Sequence, residues 1–553
     1  MTELSFASSF GSSMVLQQAP AAAAVWGFAP SASATAILLA LSMASVPIMK
    51  VQATTSAFND TALIWHAQLM PVASVFDTSG NPFTYSLTVT GDDGLNATIS
   101  DVIFGDVWVC SGQSNMAFLT EMAMNGQTLV EEAGNHGAQV RLFTTRKLTA
   151  ASPLLELGQD TNGGLWTRGV ELPWSRASRK TISDDGAAPS TNDDDWLYMS
   201  AVCYLFGLEI NRARGVPVGL INTNWGGTQI EDWMPQQAID DCSHGTSDAN
   251  GSLPEVVLAP RVATHLYNAM ISPLLNQTIK GAIWYQGESN SARPADYSCQ
   301  LPAMVKHWRA GWAAGSPTDP NFPFGVVQLA GNLGDPLQLP IFRFVGQTQS
   351  TGVLPTSALP NSFLATAYDL GDAASPFGAV HCRYKSDVGV RLALGARRLA
   401  YGEYQLHVQP VFESARASTA PDGAVSVTLA FTDTGAKGLA LLPMNISKAH
   451  DMTNWTGTTP FEVCTPPSLT TAEGHALLEL CGANDTSFAG WRLAPTTTLG
   501  AGGNTIVLGG LATQPMAVRF AWRAYPCEFK GCGVASAAEG IPPPPFWALV
   551  ERS

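Results

Sequence analysis

The chain is short of charge. Only 13% of its residues are charged, and 44 acidic side chains outnumber 29 Lys and Arg, for a formal net charge of −15. A surplus of that sign argues against a nucleic-acid or other polyanionic partner. It leaves room for a small anionic substrate, because one or two local Arg residues can override the global field. Long hydrophobic runs are also lacking. The best of them, Ala34–Ile48, is interrupted by Ser42 and Ser45 and cut by Pro47. It falls short of the about 20 apolar residues that span a bilayer, so no membrane span is expected. The opening MTELSFASSF has no basic stretch followed by an apolar one and does not read as a signal peptide. Two readings follow: a trimmed precursor or a cytosolic protein. CxxC and HExxH are both missing, so the expectation is no metal and no cofactor. The G-x-S-x-G elbow is missing as well.

What is there is a long, turn-rich chain. Its 553 residues exceed one ordinary core, and 51 Gly and 36 Pro imply many turns and short strands. Seven Asn-x-Ser/Thr sequons, at Asn59, Asn96, Asn250, Asn276, Asn445, Asn454 and Asn484, point toward a secretory route. Nine Cys leave at least one thiol free, and their spacing favours local bridges Cys464–Cys481 and Cys527–Cys532. The alternative is nine reduced, mostly buried thiols. The sequence leaves the oligomeric state open.

Three segments differ in pattern. Residues 1–100 alternate short Val/Thr/Ala/Leu runs with Gly, Pro, Asn and Asp, and read as a β domain with no helix. From 101 to 402, strand candidates Val107–Cys110, Val216–Ile221, Ala282–Tyr285, Gly325–Leu329 and Phe363–Tyr368 alternate with helical patterns over Ser200–Arg212 and Asp387–Tyr401. Such alternation predicts an α/β domain, a parallel sheet with helices on both faces. The polar stretch 144–199, Asp-rich at Asp184–Asp195, reads as an insertion. Residues 403–553 return to β patterning and a sandwich-like domain, closing on the Pro-rich, extended IPPPPFWALV.

Four segments in the α/β region could carry chemistry, each at the carboxyl end of a candidate strand, where ligands bind in such sheets. VWVCSGQSNM (107–116) brings Ser114 to a turn into a helix, next to backbone amides able to hold an oxyanion. Alone, a Ser after Gly at a strand end is usually a turn or cap residue. GLINTNWGGTQIEDW (219–233) ends a strand in Gly226-Gly227, where backbone N–H groups can approach a ligand. GAIWYQGESN (281–290) offers Gln286, and after it Asn290, as side-chain donors, with Glu288 as an acceptor. YDLGDAASPFGAVHCRYK (368–385) carries His381. A lone loop His is more often a surface residue than a base, but four such segments at one sheet end change that balance.

The quartet GQSNM, WGGT, YQGESN and SPFGAVH resembles the sialate O-acetylesterases, a family of SGNH-type hydrolases. MVLQQAPAAAAVWGF, YMSAVCYLFG, LYNAMISPLL, FPFGVVQL, RLALGARRLAYGE and PCEFKGC carry the resemblance along nearly the whole chain. It implies an SGNH-like parallel sheet flanked by N- and C-terminal β domains, and lysosomal or secreted placement. It implies a serine esterase that removes O-acetyl groups from sialic acids through an acetyl-serine. Ser114 is then the nucleophile and His381 the general base. The oxyanion hole is formed by the N–H groups of Ser114 and Gly227 (or Gly226) and the side chain of Gln286. Many relatives of this fold place an Asp two or three residues before the His. Here those positions are Ala379 and Gly378. The orienting acid is therefore sought in Asp372, then Asp369, with a backbone carbonyl and a Ser–His dyad as the alternative. Cys382 stands where Pro is expected after the His, for which we have no physical account. A substrate carboxylate calls for an Arg; Arg383 is favoured over Arg176, Arg179 and Arg293. Trp225, Glu288 and Asn290 are assigned to substrate binding, and Trp233 is either a sugar platform or core. The competing readings are an esterase for another acetylated polysaccharide such as xylan, and a non-catalytic glycan-binding protein.

Overall fold

The computed structural model describes residues 3–30, 36–158, 169–183, 196–243, 263–333, 338–444, 459–465, 481–483 and 490–552. The Asp184–Asp195 run and the sequons at Asn250, Asn445, Asn454 and Asn484 lie outside them. Asn59 and Asn96 are exposed and Asn276 is half-buried. Backbone compaction groups the chain into two units, Met1–Gln286 with Pro302–Phe324, and Gly287–Leu301 with Gly325–Ser553.

The first unit opens in β structure. Ala23–Pro30 and Ala62–Leu69 pair antiparallel, flanked by Ser5–Phe6 and Thr54–Asn59. Ile37–Met43 pairs with Val46–Gln52 and with Tyr85–Gly91. Alternation sorts these strands into two faces: Ile37, Leu39 and Leu41, and Tyr85, Leu87 and Val89, are buried while their sequence neighbours are more open.

One strand, Asn96–Gly112, links the β segment to the α/β sheet. Its first half pairs antiparallel with Tyr85–Gly91. Its second half lies parallel between Val218–Asn224 and Gly281–Tyr285. Asp101 marks the changeover at φ 57°, where Arg141, Arg176 and Ser13 all bond its carboxylate. Val140–Thr145 extends the parallel sheet, and Val170–Arg176 adds an antiparallel edge. Both strands went unrecognised in the sequence, the second because it lies in the presumed insertion.

Helices cover both faces. Residues one apart in a strand point to opposite faces, so Trp108 and Cys110 share one face and Ser111 the other. Because Trp284 pairs with Ser111, it too lies on that other face. Helix Ala201–Arg214 takes the first: Phe206 meets Trp108 edge-on at 5.0 Å, and Cys203 is disulfide-bonded to Cys110. Helix Pro294–Gly315, which the sequence reading missed, takes the second, where Trp308 packs on Trp284 at 5.8 Å. The expected α/β architecture is observed, as are all five strand candidates and both helices, with shifted ends.

The second unit holds neighbouring strands Phe324–Val327 and Ser362–Ala365, helix Lys385–Ala400 packed by Gly395 against Phe363, and the C-terminal β sheets. Val427, Leu429, Phe431, Ile506, Leu508, Val518 and Phe520 form one core that also takes in Ile341, Phe344 and Tyr368. The Pro-rich tail is buried, and its Pro543 carbonyl accepts from Tyr368 Oη at 2.8 Å. Bridges Cys464–Cys481 and Cys527–Cys532 form as spacing predicts. Among the described residues Cys382 is the free, buried thiol.

Candidate active site

The first unit gathers GQSNM, WGGT and the opening Tyr285-Gln286 of the third motif at one sheet end. Gly112, Asn224 and Tyr285 are register partners on adjacent parallel strands. Two hydrogen bonds knit their exits: Gln113 N donates to Tyr285 O at 3.1 Å, and Trp225 N donates to Gly112 O at 3.1 Å. Gly112 is the residue this crossing demands. Its φ is 144°, and a Cβ there would stand 2.1 Å from the Tyr285 carbonyl oxygen. Two residues later Ser114 opens the short helix Ser114–Ala117, buried with only 3% of its surface exposed.

The Gly-Gly turn is held by Thr228. Its hydroxyl donates to Trp225 O at 2.8 Å and accepts from Trp233 Nε1 at 2.9 Å. Its carbonyl accepts from the Gln286 side-chain amide at 3.1 Å. Gly226 is buried, whereas Gly227, at φ 65°, is exposed with open space about it. Trp225 is half-buried. Trp233 is fully buried with its ring against Trp284, so it is core and no sugar platform. Gln286 is buried too. Ser114, Trp225, Gly227 and Gln286 thus belong to one rim of one sheet.

The second unit carries His381, Asp372, Arg383, Glu288 and Asn290. The loop before His381 is stitched locally. Ser375 Oγ donates to His381 O at 2.7 Å, and His381 N donates to Gly378 O at 2.9 Å. His381 Nδ1 lies 2.7 Å from the Phe377 carbonyl oxygen. A carbonyl only accepts, so in the neutral ring Nδ1 holds the proton and Nε2 the basic lone pair. The Asp372 carboxylate faces Arg383, which donates from Nε to Oδ2 at 2.6 Å and from Nη2 to Oδ1 at 3.0 Å. Asp369 is likewise paired, with buried Arg391. Both candidate acids are therefore engaged by guanidinium groups, and the ring nitrogen faces a backbone carbonyl, the alternative the sequence left open. The pair Asp372–Arg383 closes the base of the His381 loop. It also engages two of the three guanidinium nitrogens that would otherwise meet a substrate carboxylate.

Sequence reasoning passed over Lys385. This residue opens helix Lys385–Ala400 and has no exposed surface. A cation is disfavoured both by burial and by a helix N-terminus. Burial pushes its pKa down, while the charges of Cys382, Glu288 and Asp372 oppose that shift. Its Nζ is 3.8 Å from Cys382 Sγ. Neither Lys385 nor the Phe377 carbonyl leaves a sequence signal: a Lys reads as surface, and every residue has a carbonyl. Asn290 is buried and its N–H closes a turn on Gly287 O; Glu288 is half-buried. Among the described residues no group of three His, Cys, Asp or Glu is placed to hold a metal.

Comparison with known proteins gives the family. Residues 104–396 fit the family of carbohydrate esterases described as sialic acid-specific acetylesterases, and residues 444–550 fit the sialate O-acetylesterase C-terminal domain. The human sialate O-acetylesterase is 32% identical over 99% of this chain and 92% of its own length. The rat protein is 31% identical over 99% and 94%. A carbohydrate acetylesterase from Xanthomonas citri superimposes with TM-score 0.69 and 25% identity, covering 98% of this chain and 99% of that one. The chain is thus a carboxylic ester hydrolase with an SGNH-type catalytic fold. It belongs to the sialate O-acetylesterase family.

Proposed function

We propose that this enzyme hydrolyses O-acetyl esters of sialic acids to free sugar and acetate through an acetyl-Ser114 intermediate. The observation that carries the mechanism is the knitted strand rim that presents Ser114 beside the Gly226-Gly227 turn and Gln286. The substrate class follows the names of the full-length relatives.

Ser114 Oγ attacks the acetyl carbonyl while its proton passes to His381 Nε2. The Phe377 carbonyl, accepting a hydrogen bond from Nδ1–H, fixes the tautomer that leaves Nε2 basic, so the catalytic pair is a Ser–His dyad. Asp372 acts through Arg383 as a positioning residue for the loop. The N–H groups of Ser114 and Gly227 and the Gln286 amide hold the oxyanion. His381 protonates the leaving sugar oxygen, and water then releases acetate. Arg383 meets the substrate carboxylate through Nη1, the nitrogen outside its two bonds to Asp372. Half-buried Trp225 offers a ring to the sugar, Glu288 accepts from its hydroxyls, and buried Asn290 shapes that turn.

This reading requires the imidazole of His381 to reach Ser114 Oγ in the working enzyme. A fluorophosphonate tests it: labelling is expected at Ser114, absent in Ser114→Ala and slowed about 10²-fold or more in His381→Ala. Wild-type labelling rates in His381→Ala would overturn the dyad. Comparing acetylated sialic acid with acetyl-xylan tests the substrate class, with clear preference for the first expected. The three disulfides described and the exposed sequons Asn59 and Asn96 support passage through an oxidising secretory or lysosomal compartment. No helix among the described residues is long and apolar enough to cross a membrane.

A further inference from the structure

The segment PCEFKGC, residues 526–532, takes no part in the acyl-transfer steps. It belongs to the second unit and lies against the loop that carries His381. Residues 371–384, between the turn Tyr368–Leu370 and helix Lys385–Ala400, contain neither helix nor strand. Such a stretch needs outside partners to hold one shape. The C-terminal segment supplies them at both ends. On the side before His381, Lys530 N donates to Asp369 O at 2.8 Å. The Tyr525 ring also lies so close to Gly371 that a Cβ there would stand 2.4 Å from ring carbon Cε2. On the side after His381, the Phe529 ring stacks on Tyr384, with centroids 3.8 Å apart and 19° between the planes. Lys530 Nζ is there 2.5 Å from Asp387 Oδ1.

We propose that Phe529 and Lys530 are positioning residues for His381, through a stapled loop, Tyr525–Cys532, that clamps both ends of the segment presenting the imidazole. The inference rests on the esterase reading and deepens it. The clamp is stiff in itself. Cys527 is bonded to Cys532, Gly531 N donates to Glu528 O at 2.8 Å, and Tyr525 Oη donates to Glu528 Oε2 at 3.0 Å. Lys530 sits at φ 55°, a conformation that a residue with a side chain holds only where its surroundings over-determine it. In that conformation its backbone N–H meets one end of the His381 loop and its ammonium the other. Phe529 is 39% exposed, so burial accounts for little of its placement; its flat contact is with Tyr384, three residues after His381. Exposed ion pairs such as Lys530–Asp387 are weak, so the ring stack carries more of the hold. Bonds inside the loop, Asp372–Arg383 and His381 Nδ1 to Phe377 O, set its shape. The clamp sets where that shape sits on the second unit. A reacting group displaced by about 1 Å can cost about 10²-fold in rate, so a contact that never touches substrate can govern kcat.

Full-length Phe529→Ala and Lys530→Met, with the conservative variants Phe529→Tyr and Lys530→Arg, are compared with wild type on 4-nitrophenyl acetate and an acetylated sialic acid. Fluorophosphonate labelling carried to completion counts the working sites, so that kcat is expressed per labelled site. In Phe529→Ala kcat and kcat/KM are expected to fall together, about tenfold or more on both esters, with KM unchanged, as for an interaction felt only in the transition state. Lys530→Met keeps the backbone N–H and is expected to lose about threefold. Phe529→Tyr and Lys530→Arg, which keep the ring stack and the ion pair, are expected to stay within about twofold of wild type. A clamp that merely supports the fold would lower the melting temperature or the labelled fraction and leave kcat per labelled site intact; that result would overturn the proposal. So would a loss confined to KM, or one equally deep in Phe529→Tyr. Each of these leaves the esterase reading standing, whereas a wild-type enzyme that neither labels at Ser114 nor cleaves either ester would sink that reading itself.

Discussion

At the scale of single residues, chemistry concentrates where strands end. Ser114 has an ordinary hydroxyl, and in the proposed mechanism its activation comes from groups around it. Removing the hydroxyl removes the covalent path, so Ser114→Ala is expected to lose acetyl-ester hydrolysis by several orders of magnitude in a steady-state assay. Gln286 differs. Its amide already bonds the Thr228 carbonyl, so it supports the Gly-Gly turn besides its proposed oxyanion role. Gln286→Ala is therefore expected to lower kcat by about 10²–10³, the usual cost of one oxyanion donor, with a measurable residue of activity. A kcat within twofold of wild type would remove Gln286 from the oxyanion hole. At Gly112 the constraint is steric. With a Cβ needing space 2.1 Å from a carbonyl oxygen, Gly112→Ala must push apart the strands that carry Ser114 and Gln286. It is expected to cost activity and thermal stability together.

At the scale of elements, the strand Asn96–Gly112 deserves its length through Asp101. The chain there turns from antiparallel to parallel partners, and Arg141, fully buried, would be stranded without its carboxylate. Burial by itself would raise the Asp101 pKa. Hydrogen bonds from Arg176, Arg141 and Ser13 outweigh it and hold the value at about 2, below the ordinary 3.8. A depressed folded-state pKa stabilises above the unfolded value and ceases to as pH falls through the folded one. Asp101 therefore contributes about 2 kcal/mol at neutral pH, lost between about pH 4 and pH 2. Asp101→Asn is expected to lower the neutral-pH melting temperature and flatten the acid limb of a stability profile over that interval. An unchanged limb would show that the cluster is not what acid attacks. The loop 372–383 follows the same logic: the Asp372–Arg383 pair closes the segment that presents His381.

At the scale of the whole molecule, the second unit has no seam at residue 402. Ile341, Phe344 and Tyr368 share a core with strands beyond 411. The buried Arg343 guanidinium donates to the carbonyls of Arg523 and Ala524 at 2.9 Å. Deleting residues 403–553 would expose that core and leave a buried cation short of acceptors. The truncated chain is expected to be insoluble on expression, and a soluble, active fragment would refute this coupling. In the first unit the Cys110–Cys203 bridge closes 93 residues and fastens a helix to the strand that leads into Ser114. Its loss in Cys203→Ser is expected to cost about 2–4 kcal/mol, read as a lower midpoint in denaturant.

The sequence by itself determined the class of fold and pointed to candidate groups at the strand ends. Val107–Cys110 and Ala282–Tyr285 are apolar runs ended by Gly and polar residues, and their strands follow from that pattern alone. The motifs after them single out Ser114, the Gly-Gly turn and Gln286 as candidates, and only the family resemblance assigns them roles. The two short-range disulfides were legible from spacing. Other features were settled by tertiary packing. The Val170–Arg176 strand carries no clean alternation and exists through its pairing with Val140–Thr145. The partner of the His381 ring is a backbone carbonyl, which no residue type encodes, and Asp372 went to Arg383 because the loop brings a guanidinium within 2.6 Å of it. Lys385 was likewise buried by packing that its residue type does not announce. Side-chain identity sets what a group can do, but burial and distance decide which partner it meets, and those are properties of the folded chain.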